Sequence, residues 1–124
     1  MTRAQLFLGL VGAFFVTVFA LPLFLVPFEW AELFGWDVER TDLGSYFGRC
    51  LGAVALAVSG MALWGAREPE QYRPLFDILA VIAALLAVVH LRGLVEDSQP
   101  FVEHVETLGY AGFAGLAVWA KPPG

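Results

Sequence analysis

LFLGLVGAFFVTVFALPLFLV, from Leu6 to Val26, decides the fold. It holds 21 residues and no charge, and a helix needs about 20 apolar residues to cross the hydrocarbon core of a bilayer. A secretory signal peptide is the rival reading. Arg3 precedes the block, and Val18-Phe19-Ala20 resembles a cleavage site. Signal cores, however, usually run about 7–15 residues, and this block continues through Val26. It is expected to be retained as a span.

Three more blocks follow. The second runs from about Ser45 to Ala66 with Arg49 as its charge. The third runs from about Pro74 to Val95, with Asp77 near its start and His90 and Arg92 near its end. The fourth runs from about Pro100 to Ala120, with Glu103, His104 and Glu106 in its first two turns. Within lipid only helices and closed barrels satisfy every backbone group, and continuous apolar runs without alternation select helices. The expectation is an all-α, integral membrane four-helix bundle, a single four-span domain over residues 1–124. Pro74 and Pro100 suit a first helical turn. Thr41 or Asp42 is placed to cap the second span, and Ser98 or Gln99 the fourth.

Composition agrees. Of 124 residues, 59% are hydrophobic and 15% charged, against about 25% charged in ordinary soluble domains. The net charge of −5 argues against nucleic acid as a partner, which requires a basic face. A single cysteine, Cys50, excludes an internal disulfide and a thiolate zinc cage. It reads as a small packing residue.

Arg3, Arg67, Arg73 and Lys121 fall on one side of the four-span layout; Arg40 and Arg92 fall on the other, with Arg49 just inside. The positive-inside rule then puts both termini in the cytoplasm. The expected location is a bacterial or archaeal plasma membrane.

Lipid tails are as apolar as leucine, so close approach at small residues drives helix association. Gly44, Gly48 and Gly52 are spaced by four on the second span. Gly109, Gly112 and Gly115 mark the fourth, Ala80, Ala83, Ala84 and Ala87 the third, and Gly9, Gly12 and Ala13 the first. These stripes serve packing within the bundle or, on one face, a homodimer seam. Membrane lipid, a second copy or a larger membrane complex are the expected partners. Trp30, Phe34 and Trp36, and also Trp64 and Trp119, read as headgroup-level aromatics. PFEWAELFGW (residues 27–36) is either a short surface helix or a connecting loop.

Ionisable groups inside spans are costly and usually have a reason. At 1.5 Å rise per residue, Arg49 lies about 6–7 Å, His90 about 7–8 Å and Glu106 about 9 Å below the outer ends of their spans. Glu103 and Tyr110 share a helix face with Glu106. The expected ligand-binding set is therefore Arg49, His90, Glu103, Glu106 and Tyr110, bordering an outward-facing polar pocket with Arg49 paired to Glu106. A structural staple, or snorkelling to the headgroups, is the plainer alternative. Asp77 is expected to pair with Arg73, four residues earlier.

Glu29-x-x-Glu32-x-x-Gly35-Trp36 echoes Glu103-x-x-Glu106-x-x-Gly109-Tyr110, each after Pro-Phe. Duplication of a two-helix unit and chance are both open. Carboxylates and imidazoles suit several divalent metals, but helical di-metal sites use Glu-x-x-His, which is absent. No metal and no cofactor is expected. P-loop, GxSxG, HExxH and dinucleotide motifs are also absent.

The four-span layout, Leu21-Pro22 through Trp36, and the run Arg49-Cys50-Leu51-Gly52 resemble the DoxX-like group of small bacterial membrane proteins. That resemblance implies a four-helix membrane fold and, for DoxX itself, a quinone-linked role; no functional residue is carried over. Two functions follow as expectations. One is a non-enzymatic accessory subunit, or a module binding lipid or an apolar small molecule. The other is a quinone-linked enzyme or small transporter using Arg49, His90 and Glu106.

Overall fold

The computed structural model describes residues 1–124; it is 82% helical and has no strand. Three helical runs are long and apolar enough to cross a membrane: Arg3–Leu25, Asp42–Gly65 and Pro69–Glu96. The chain divides into two compact units, Met1–Arg67 and Glu68–Gly124, and each is a helical hairpin.

The first unit opens with a reciprocal cap. Thr2 Oγ1 accepts from the Gln5 backbone N–H at 3.2 Å, and Gln5 Oε1 accepts from the Thr2 N–H at 2.9 Å. Helix α1 (Arg3–Phe14) passes through a π-helical stretch, Phe15–Ala20, into α2 (Leu21–Leu25). Pro22 explains the irregularity. It has no N–H, and its ring crowds the carbonyl four residues earlier, that of Val18. The indole N–H of Trp30 donates to that same Val18 carbonyl at 2.9 Å. Thr17 Oγ1 also donates back to Ala13 O at 2.7 Å, a bond that commonly bends helices. Pro27 then disfavours a helical Val26; Val26 sits at φ −136°, ψ 68°, and the chain breaks.

Helix α3 (Pro27–Leu33) settles the question left open for PFEWAELFGW in favour of a short helix. Gly35, at φ 91°, ends it. The Gly35 N–H donates to Glu32 O at 3.0 Å and the Trp36 N–H to Ala31 O at 3.1 Å, a closure that needs a left-handed residue. The Trp30 ring lies 4.8 Å from those of Phe19 and Phe34. Helix α4 (Asp42–Gly65) starts at Thr41, whose Oγ1 accepts from the Gly44 N–H at 3.0 Å.

The small-residue stripe of α4 receives the first helical run. A Cβ on Gly48 would stand 2.7 Å from Pro27 Cβ, and one on Gly52 would meet the backbone of Leu23 and Phe24. Towards the opposite end of α4 the roles reverse: a Cβ on Gly12 would stand 2.8 Å from Leu63 N and 2.9 Å from Ser59 O. Cys50 is exposed, not packed as expected.

In the second unit a 3₁₀ turn, Pro69–Tyr72, leads into α5 (Arg73–Glu96), with Pro74 in its first turn. Asp97, at φ 50°, terminates α5, and the Ser98 N–H donates to Gly93 O at 3.0 Å. Helix α6 (Phe101–Ala120) follows Pro100 with no side-chain cap. Gln99 serves the other helix instead: its Nε2 donates to His90 O at 2.8 Å, and its side chain lies over Gly93. At the far end Asp77 pairs with Lys121, not Arg73. Lys121 Nζ donates to both Asp77 oxygens at 2.7 and 2.8 Å, while Arg73 Nε donates to Pro122 O at 3.0 Å. Once the chain turns back, a C-terminal lysine lies nearer Asp77 than its own-helix neighbour. Gly109, Gly112 and Gly115 have nothing within 4 Å of where a Cβ would stand, so α6 does not use that stripe against α5.

Candidate functional site

The contact face of α5 is a stripe of Phe76, Leu79, Ala83 and His90; that of α6 carries Glu103, Tyr110, Ala117 and Ala120. All eight residues are buried. Phe76, Ala83 and His90 recur every seven residues, as do Glu103, Tyr110 and Ala117. Two turns of helix bring a side chain back to nearly the same face. The polar residues therefore occupy core positions of the hairpin, and packing of the apolar turns aims them at each other.

His90 is the hub. Its Nδ1 lies 2.7 Å from Leu86 O. A carbonyl only accepts, so Nδ1 carries the proton and Nε2 faces away from the helix backbone. Nε2 lies 2.6 Å from Glu103 Oε2 and 3.2 Å from Glu106 Oε2. The three side chains are 11%, 8% and 26% exposed. The Tyr110 ring lies 4.9 Å from the imidazole, inclined at 47°, and walls one side.

A supporting layer holds these groups. Gln99 ties the His90 carbonyl to His104, whose Nδ1 lies 3.0 Å from the Gln99 amide nitrogen. Thr107 Oγ1 donates to Glu103 O at 3.4 Å. Sequence reasoning missed Gln99 and Leu86. For Leu86 the signal was its place four residues before His90, within reach of a helical side chain. Gln99 offered no signal beyond being a polar residue beside the cluster's helix start.

Four of the five expected site residues, His90, Glu103, Glu106 and Tyr110, come together in the second unit. Arg49 belongs to the first unit, where it is exposed and its Nε donates to Ser45 Oγ at 3.2 Å. An open groove of about 520 Å³ in that unit, lined by Met1, Gln5, Leu6, Gly9, Leu10 and Ala66, includes none of the five.

The echoing pair in the first unit is met by a different cation. Arg40 Nη1 donates to Glu29 at 3.1 Å and Nη2 to Glu32 at 2.9 Å, all at exposed positions. The Glu29 carboxyl is held below its ordinary range, first by a backbone N–H at the start of α3 and then by Arg40. The Arg40 guanidinium is correspondingly raised by its bond to Glu29, then by Glu32.

The chain matches no family model, no curated protein and no solved structure.

Proposed function

We propose that this chain is a non-enzymatic integral membrane protein of DoxX-like layout, crossing the bilayer four times with both termini cytoplasmic. Its second hairpin acts as a ligand-binding unit centred on His90, Glu103 and Glu106. The apolar surfaces support the membrane reading: Leu85, Val88 and Val89 on α5 are each 62% exposed, which suits lipid or a neighbouring helix better than water. Helix α6 is the fourth span. Its 20 residues match a hydrocarbon core of about 30 Å, and it falls outside the apolar set because its first two turns hold the polar cluster.

One observation carries the binding reading. An imidazole nitrogen and two carboxylate oxygens from two helices converge in a largely buried place. Such a set of atoms suits a ligand that brings positive charge. The alternative is a quinone-linked enzyme or small transporter using Arg49, His90 and Glu106.

Two experiments test this. Single cysteines introduced at Thr2 and Ser98 in a Cys50→Ser background are labelled in intact cells with a membrane-impermeant maleimide. Labelling at 98 but not at 2 is expected; the reverse, or labelling at both, refutes the topology. Native mass spectrometry of detergent-released protein is expected to show an adduct that Glu103→Gln with Glu106→Gln removes. An adduct unchanged by that pair of substitutions refutes the site.

A further inference from the structure

We propose that the His90–Glu103–Glu106 centre binds a divalent transition-metal ion of the zinc class. This rests on the ligand-binding reading above and names its ligand.

With Nδ1 turned to Leu86 O, Nε2 is the ring atom directed at the two carboxylate oxygens. One imidazole nitrogen and two carboxylate oxygens, all metal-ligating atoms, thus converge in a largely buried place. A divalent cation accepts an electron pair from each atom at once and cancels both carboxylate charges, which is the condition for burying them.

The distances agree. Zinc binds nitrogen at about 2.0–2.1 Å and carboxylate oxygen at about 2.0–2.2 Å, so tetrahedral ligand atoms stand roughly 3.3–3.5 Å apart. His90 Nε2 and Glu106 Oε2 are already 3.2 Å apart. The pair His90 Nε2 and Glu103 Oε2, at 2.6 Å, must open by less than about 1 Å, a rotation within reach of a glutamate side chain. All three donors lie within 4.8 Å of one another.

Histidines that bind metals almost always donate their other ring N–H to a carbonyl or carboxylate, which fixes tautomer and orientation; Leu86 O fills that position. The donor set discriminates among ions. Imidazole with two carboxylates suits zinc and its neighbours, whereas calcium takes six to eight oxygens and magnesium a near-ideal octahedron. Three protein ligands leave a fourth position for water or a further ligand.

The Glu-x-x-His pattern of helical metal sites is absent because the donors are divided differently. One helix contributes Glu-x-x-Glu and the other contributes the histidine.

Protein purified in detergent is stripped with a chelator, then titrated with Zn²⁺ by calorimetry; bound metal after desalting is counted by elemental analysis. One ion per chain is expected, with affinity weakened about 100-fold or more in His90→Ala and Glu106→Gln, since losing even an outer-layer group costs 10–100-fold. Glu29→Gln with Glu32→Gln is expected to change nothing. Co²⁺ in place of Zn²⁺ is expected to give the visible absorption of a four-coordinate ion, lost in Glu106→Gln. If His90→Ala fails to fold, Glu106→Gln, at the most exposed of the three ligands, carries the test. No retained metal in folded wild-type protein overturns the proposal, as does binding that survives both substitutions. If no metal binds but native mass spectrometry still shows a cluster-dependent adduct, the metal assignment fails while the ligand-binding reading stands. If neither is seen, both fail.

Discussion

Replacing Gly52 by alanine isolates the contact that builds the first hairpin. A Cβ there would stand 2.7 Å from Phe24 Cα and 2.9 Å from the Leu23 carbonyl carbon. Non-bonded carbons rest at about 3.5–4.0 Å, so α2 must withdraw by roughly 1 Å. Both obstructing atoms are backbone, so no side-chain rotation relieves the clash. Overpacking of this kind costs about 1–3 kcal/mol. Gly60 on the same helix is the control, since nothing lies within 4 Å of its Cβ position. Alanine gains up to about 1 kcal/mol of helix propensity over glycine; both substitutions receive that gain, and it cancels in their difference. Gly52→Ala is therefore expected to be less stable than Gly60→Ala by about 1–3 kcal/mol. The assay is reversible unfolding by chaotrope in a fixed detergent, followed by far-UV circular dichroism. Equal midpoints for the two variants, or a higher one for Gly52→Ala, would refute the close approach of α2 to α4.

Trp30→Phe keeps an aromatic ring against Phe19 and Phe34 but removes the donor to Val18 O. A loss of about 1–2 kcal/mol is expected from the unsatisfied carbonyl, measured in the same unfolding assay. Arg40→Gln is expected to raise the Glu29 midpoint only part-way to the ordinary value, because the backbone N–H, the larger cause, survives; carbon-detected NMR titration reads it. Since that carboxyl is lowered in the fold, its small exposed contribution is complete above the ordinary carboxylate range. It disappears as pH falls through the lowered midpoint, and a Glu29 contribution that grew on acidification would contradict this.

The apolar runs were legible because an uncharged 21-residue block is long and apolar enough to cross a bilayer as a helix. Thr41 was legible as a cap because its side chain acts only on the next few residues. The pairings of charges across the chain were harder. Rise per residue gives depth along a helix, and depth alone grouped Arg49 with His90 and Glu106. It leaves out azimuth, which the packing stripe sets. His90 continues the line of Phe76 and Ala83, whereas Arg49 is on the exposed side of α4. Extending each apolar stripe of the second hairpin through its polar members selects His90, Glu103 and Tyr110. The same omission explains Asp77. An i, i+4 neighbour on the same helix is legible in the sequence, whereas a hairpin that returns Lys121 to that end is not.

The two Glu-x-x-Glu motifs show how the same local chemistry diverges with burial. Glu29 and Glu32 lie on a seven-residue helix in the open, where a guanidinium of fixed charge, itself half-exposed, bridges them. Water screens whatever charge is left over, and such a pair contributes little. Glu103 and Glu106 open a twenty-residue helix against a neighbour, where a residual charge is expensive. A fixed cation of one unit would leave that place negative. A histidine meets them instead, its Nε2 2.6 Å from Glu103 Oε2 and 3.2 Å from Glu106 Oε2. The two pairs thus differ in burial and in partner, a fixed guanidinium in the open against an imidazole between two packed helices.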